Sequence, residues 1–191
     1  VFRNLTGSNR ESGMQFADGS GGNVIETADL SWLGEGKPGW GVRLEHSPNN
    51  TLRNVTARNH YKGLDVLGAS GGTLVEGGDF SNGAHGIYAV GNTGQGSRYF
   101  NNNLSGMVEG CSLDLHSDNL VEFSGNDMAG SKHGLCLGRM SGYALDGLDL
   151  SAFNNPQVGL NLWQVTNSTF TNINVSWGGA GASGFGVRLH N

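Results

Sequence analysis

The sequence predicts an all-β fold, a single-stranded right-handed parallel β-helix of about eight coils, each 22–28 residues long. The first observation is a recurring quartet that opens on a small residue and alternates: Gly13 (GMQF), Gly41 (GVRL), Gly63 (GLDV), Gly86 (GIYA), Ser112 (SLDL), Gly134 (GLCL), Gly159 (GLNL) and Gly186 (GVRL). The second is their spacing of 28, 22, 23, 26, 22, 25 and 27 residues, which is the self-similarity of a solenoid. The third is composition: glycine makes up 34 of 191 residues with no collagen-like register, and no long amphipathic helical pattern occurs. Parallel strands joined by crossovers take the right hand.

Within each quartet the second and fourth residues are apolar, the period of a strand with one buried face. The expected inward pairs are Met14/Phe16, Val42/Leu44, Leu64/Val66, Ile87/Ala89, Leu113/Leu115, Leu135/Leu137, Leu160/Leu162 and Val187/Leu189. A second apolar run follows each quartet, clearest at Thr51–Val55, Thr73–Val75, Asn119–Phe123, Ala144–Leu145 with Leu148, and Phe170 with Ile173. One such coil cannot bury its apolar face alone, but stacked coils can, with equal strands paired ~4.8 Å apart. The glycines opening the quartets are expected at positive φ, with Asn49-Asn50 and Asn154-Asn155 at similar corners. Leu33–Trp40, Gly91–Ser97 and Trp177–Phe185 read as loops. The whole of 1–191 reads as one domain, or a segment of a longer solenoid. Val1–Gly13 aligns with Thr51–Gly63, so the chain begins partway round a coil, and uncapped ends allow end-to-end self-association.

Composition narrows the function. No apolar run approaches the ~20 residues of a membrane-spanning helix. With a net charge of −5 and no basic stripe, neither nucleic acid nor membrane is an expected partner. No Cys/His metal spacing, P-loop or dinucleotide fingerprint occurs, so no cofactor or metal is expected. Cys111 and Cys136 sit three residues out of register and are expected as free thiols. Sequons at Asn4, Asn49, Asn54, Asn103, Asn167 and Asn174 read as turn residues. The composition suits a secreted protein, extracellular or periplasmic.

The outward quartet residues form a ladder of one rung per coil: Gln15/Ala17, Arg43/Glu45, Asp65/Leu67, Tyr88/Val90, Asp114/His116, Cys136/Gly138, Asn161/Trp163 and Arg188/His190. Acids, cations, His, Tyr and Trp on consecutive rungs suit a polysaccharide, aromatics lying against sugar faces. The substrate-binding candidates are Arg43, Glu45, Asp65, Lys62, His133, Asn161 and Trp163, and the catalytic candidates are His116, Arg139, Asp114 and Tyr88. His46, His60, His85 and His190 are expected to be solvated.

The repeat resembles those of the pectate-lyase-like superfamily over essentially the whole chain. Within it, Asp114-Leu115-His116-Ser117, then SGND, then His133-Gly-Leu-Cys-Leu-Gly-Arg139 resembles the mannuronan C5-epimerases of alginate metabolism. That family carries an Asp-Pro-His-acid motif one coil before a His-Gly, three apolar residues, one variable residue and Arg. Leu115 and Ser117 stand where the family has proline and an acid, and Cys111 lies where its tyrosine is expected. The resemblance implies that His116 removes the C5 proton and Arg139 neutralises the uronate carboxylate. Chemistry asks for the same parts, since a proton α to a carboxylate leaves only with a base near neutral pKa and a cation on the carboxylate. Asp114 would orient neighbouring groups, and Tyr88 or water would return a proton to the opposite sugar face. A lyase would use the same base and cation. Two alternatives stand beside this: a non-catalytic binding or structural β-helix, and an inverting glycosidase using Asp65 and Asp114, two coils apart.

Overall fold

The structure, a computed structural model, describes residues 1–7, 12–91, 96–150, 158–175 and 184–190. These residues hold sixteen strands and no helix. The quartets form β2 (Ser12–Phe16), β4 (Trp40–Glu45), β6 (Lys62–Leu67), β8 (His85–Val90), β10 (Cys111–His116), β12 (His133–Gly138), β14 (Val158–Trp163) and β16 (Phe185–His190). They pair in chain order into one eight-stranded parallel sheet, spanning about seven turns of a right-handed β-helix. The second runs supply β1 (Phe2–Thr6), β3 (Val24–Asp29), β5 (Thr51–Thr56), β7 (Leu74–Glu76), β9 (Arg98–Phe100) and β11 (Glu122–Ser124), a six-stranded parallel sheet. A third side is drawn by single parallel bridges, Thr56 to Asp79, Asp79 to Asn103 and Asn103 to Asp127.

Equal quartet positions pair: Val42 with Leu64, Leu64 with Ile87, Ile87 with Leu113 and Leu113 with Leu135. The pairs from Val42/Leu44 to Leu160/Leu162 are buried, as their alternation predicts. Met14 is half-buried. The last pair departs from expectation: Val187 is 43% and Leu189 73% exposed, because no described coil lies beyond β16.

The seven quartets from Gly13 to Gly159 end at a left-handed corner, occupied in successive coils by Asp18, His46, Gly68, Gly91, Ser117, Arg139 and Gln164. A second file of left-handed residues lies within or just after the second strands: Asn4 and Asn54 inside β1 and β5, and Gly77, Asn101, Gly125, Gly147 and Asn172 just beyond the later ones. Asparagine tolerates this conformation, and the sequons at Asn4, Asn49, Asn54 and Asn167 are such corners. Asn154 and Asn155 lie outside the described residues, as do most of the loop Trp177–Phe185 and residues 92–95 of Gly91–Ser97.

The opening glycines of the quartets do something other than expected. Gly41, Gly63 and Gly86 are absent from the positive-φ residues. They face inward, where a β-carbon on Gly41 would stand 2.4 Å from the Ala57 Cβ and 2.7 Å from the carbonyl oxygen of Gly63. A β-carbon on Gly86 would stand 2.4 Å from the carbonyl oxygen of Ser112. Close packing, not backbone freedom, demands glycine there. Each is followed by an inward apolar residue, so two successive residues face the core and the alternation breaks once. The residue before the glycine is thereby turned outward, onto the same face as the residue three places on.

The second sheet stops at β11. The next two coils contribute β13 (Ala144–Asp146) and β15 (Thr169–Thr171), which pair only with each other among the described residues. Between β11 and β13 lies a cavity of about 390 Å³ with Phe123, Met128, Leu145 and Leu148 in its wall. The Tyr143 hydroxyl crosses this seam to donate to the Val121 carbonyl at 3.2 Å.

Candidate functional site

The break in alternation adds a third outward column to the two that alternation supplies: Trp40, Lys62, His85, Cys111 and His133. Its members reach the rung residue three places on. Trp40 lies under the Arg43 guanidinium at 3.5 Å, Lys62 Nζ donates to Asp65 Oδ1 at 3.0 Å, and the His85 and Tyr88 rings are 5.7 Å apart. The ladder itself is placed as the sequence predicts: Arg43 pairs with Asp65, Asp65 with Tyr88, Tyr88 with Asp114, Asp114 with Cys136 and Cys136 with Asn161.

At the centre His116 Nε2 donates to Asp114 Oδ1 at 2.7 Å. His85 Nδ1 stands 3.6 Å from the other carboxylate oxygen, an ion-pair distance. Burial alone would push the Asp114 carboxyl up, but the two imidazoles beside it outweigh that and hold it below the usual carboxylate range. The His116 ring lies over Gly138, where an added β-carbon would come within 2.9 Å of the ring. Glycine at this rung is what lets the imidazole lie down.

Aromatic and imidazole rings run along the ladder on both sides of this pair. Tyr61 and His85 are 5.6 Å apart, Tyr88 and His116 6.2 Å, and His116 and Trp163 5.8 Å. Burial first, then the Asp114 and Asp65 carboxylates, push the Tyr88 phenol up, so it keeps its proton at neutral pH. Arg139 leaves the left-handed corner after β12 with φ 52° and lays its guanidinium over Trp163 at 4.7 Å. It is exposed and makes no ion pair with an acid among the described residues.

Two further cations of the strip, Lys62 and Arg43, are spent within the protein. Asp65 is fully buried and receives Lys62 and Arg43, the latter donating from Nε at 2.9 Å. Glu45 accepts from Gln15 at 3.2 Å, at the far end of the strip. Asn161 accepts from His190 at 3.0 Å beside Trp163. His133 begins β12 in the third column, in register with Cys111. Asp65 is thus paired with two cations, whereas Asp114 faces two imidazoles.

Three expectations are corrected here. Cys111 and Cys136 are joined in a disulfide, with Cα atoms 6.0 Å apart. A straight strand would separate them too far, but the break in alternation folds Cys111 back onto the face of Asp114, whose neighbour is Cys136. His60 is not solvated but fully buried, its Nε2 donating to the Leu30 carbonyl at 2.7 Å. His85 belongs to the site. It was legible in the sequence as the polar residue preceding a quartet glycine, a column where Trp40, Lys62 and His133 also stand out.

The disulfide floors a cavity of about 180 Å³ walled by Asp114, His116, Asn161, Trp163 and His190. One donor atom from each of Cys111, Asp114 and Cys136 lies within 4.8 Å of the others. No curated protein and no solved structure matches the chain significantly. A family model does, over residues 21–186, and this span covers the coils from β3 into β16. The chain therefore belongs to the family described as periplasmic copper-binding protein (NosD), whose β-helix it shares.

Proposed function

We propose that the protein is an extracytoplasmic polysaccharide-active β-helix, and that His116 works as a base on a uronate residue. The observation that carries this is the His116–Asp114 contact of 2.7 Å in the middle of the run of rings from Tyr61 to Trp163. Rings spaced about one coil apart offer flat apolar faces to successive sugars. In the neutral imidazole, donation of Nε2–H to Asp114 leaves Nδ1 as the nitrogen that can accept a proton.

In this reading the glycan lies along the ladder between Arg43 and Trp163. Arg139, an exposed cation of the strip that makes no ion pair with an acid among the described residues, takes the sugar carboxylate, offsetting the repulsion expected from a net charge of −5. His116 accepts the C5 proton. Tyr88 O–H or water returns one to the opposite face, giving the epimer; loss of the 4-linked sugar instead gives an unsaturated end. The protein is incubated with alginate and with pectin in D₂O and followed by NMR. The expected result is deuterium at C5, falling at least ~100-fold in His116→Ala and in Arg139→Ala. Binding that weakens in Trp163→Ala, with no exchange and no unsaturated ends, assigns the strip to the non-catalytic alternative.

The family description names copper. In the state described, the two sulfurs nearest to each other on this face are bonded together and cannot ligate a metal. The oxidised site does not fit a copper ion, and no step above passes through one.

A further inference from the structure

Away from the ladder, the stack is open between β11 and β13, and side chains explain why. In the coils before this seam an asparagine file joins each turn to the next. Asn102 Oδ1 accepts from the Gly78 main-chain N–H at 2.9 Å, and Asn126 Oδ1 accepts from that of Asn102 at 3.0 Å. Their side-chain amides donate to the Val75 and Tyr99 carbonyls at 3.2 and 2.9 Å. One coil further the equivalent residue is Leu148, which offers no acceptor. Among the described residues the Asn126 main-chain N–H therefore has no partner. The third side fails at the same coil. The bridged file Asp79, Asn103, Asp127 would continue with Asp149, setting two carboxylates side by side.

We propose that this seam is a docking site for an extended peptide segment of another protein, alternating apolar and basic side chains, which adds as a strand to the edges of β11 and β13.

The main chain supplies the template. Glu122 and Ser124 turn their hydrogen-bonding groups to the coil of β9, and Tyr143 and Gly147 turn theirs to β15. Successive residues of a strand bond to opposite sides, so Phe123, Gly125, Ala144 and Asp146 present theirs to the seam. An edge of that kind recruits an added strand, with main-chain bonds giving affinity and side-chain sites giving specificity. Each lip runs over about five residues, ~17 Å of extended chain. The floor takes the apolar side chains: Phe123, Met128, Leu145 and Leu148 line the cavity of about 390 Å³. The rim takes the basic ones. The charged residues of the lining are Asp127, Asp146 and Asp149, all exposed, with no lysine or arginine among them. Apolar floor and acidic rim lie on opposite faces of an entering strand, which is the period-2 alternation of the segment inferred.

The probe is a synthetic heptapeptide of alternating valine and lysine, labelled at one end and titrated against the whole chain by fluorescence anisotropy at low salt. A peptide with glutamate in place of lysine and one interrupted by proline run beside it. The expected result is saturable binding with Kd below about 100 μM. Bound peptide is expected to slow hydrogen exchange at the amides of Phe123, Gly125 and Asn126. The glutamate and proline peptides are expected to bind at least ~10-fold more weakly. Leu148→Asn restores the missing side-chain acceptor and so closes the seam. It is expected to weaken binding at least ~10-fold while keeping or raising the melting temperature. Asp127→Lys, an exposed change that leaves the core intact, is expected to weaken binding at least ~3-fold and serves should Leu148→Asn not fold. Equal binding of the glutamate peptide, undiminished binding in a folded variant, or no binding up to ~1 mM overturns the inference. Self-association of the protein that Leu148→Asn abolishes would assign the seam to a second copy, and equally overturns it. No uronate polymer enters this test, so its outcome is independent of exchange at C5.

Discussion

Asp114 is the residue on which most of this face depends. Its carboxyl is buried, yet two imidazoles hold it below the usual carboxylate range. A carboxyl whose folded pKa is depressed stabilises the fold at pH values above the unfolded pKa. That contribution is lost as pH falls through the folded value. Thermal unfolding across pH 2–6 is therefore expected to show an acid limb below about pH 4 that Asp114→Asn flattens. At pH 7 the same variant is expected to lose about 2 kcal/mol, the scale of a hydrogen bond to a charged group. Gly138 offers a complementary test. A β-carbon there would sit 2.9 Å from the His116 ring, a side chain able to swing away. Gly138→Ala is expected to lower exchange at C5 at least ~10-fold while leaving the melting temperature within a few degrees. Parallel loss of fold and activity would make Gly138 a packing residue instead.

At the scale of the strand, the quartet was legible and its kink was not. The alternation of Val42/Leu44 or Leu113/Leu115 states which residues face inward, and equal register from coil to coil follows from the repeat. In the sequence the opening glycine reads as a turn residue, because glycine more often serves a positive φ. Only the carbonyl of the next coil, 2.4 Å from a β-carbon on Gly86, reveals close approach as the cause. That misreading hid everything that follows from the kink: the outward turn of His85, the approach of Lys62 to Asp65, and the disulfide. His60 was missed for a different reason, since nothing local announces a histidine whose partners are carbonyls 22 and 30 residues away. The glycine argument predicts a contrast. Gly86→Ala must displace backbone and is expected to cost about 1–3 kcal/mol in chemical denaturation. Ser112 holds the equivalent position in the next coil, and its buried hydroxyl has no hydrogen-bond partner. Ser112→Ala is accordingly expected to be neutral or stabilising.

Across the whole molecule the coils are not equally joined. In a solenoid each coil is held mainly by its two neighbours, so stability is a sum over interfaces and the weakest one decides where the stack opens. Among the described residues, an interface that lacks its second-sheet strand pair lies between the coil of β10 and β11 and the coil of β12 and β13. The quartet sheet runs through it, but the second sheet stops at β11, and a cavity of about 390 Å³ stands where a strand pair would be. Among the described residues the Tyr143 to Val121 hydrogen bond spans the gap on that side. The disulfide Cys111–Cys136 crosses this same interface, tying β10 to β12. A covalent link therefore sits where the hydrogen-bonded ladder is thinnest. Closing a loop of 25 residues stabilises by about 3.5 kcal/mol in the chain-entropy account, enough to offset several missing ladder bonds. Hydrogen exchange with and without a dithiol reductant tests this division of labour. On reduction the amides of β13 and β15 are expected to lose protection by up to ~100-fold, while β3, β5 and β7 keep theirs. Uniform loss along the chain would mean that the coils unfold as one unit and that the seam is not the point of opening. Unchanged protection everywhere would mean that the quartet sheet alone carries the junction, leaving the disulfide free to cycle between its oxidised and reduced forms.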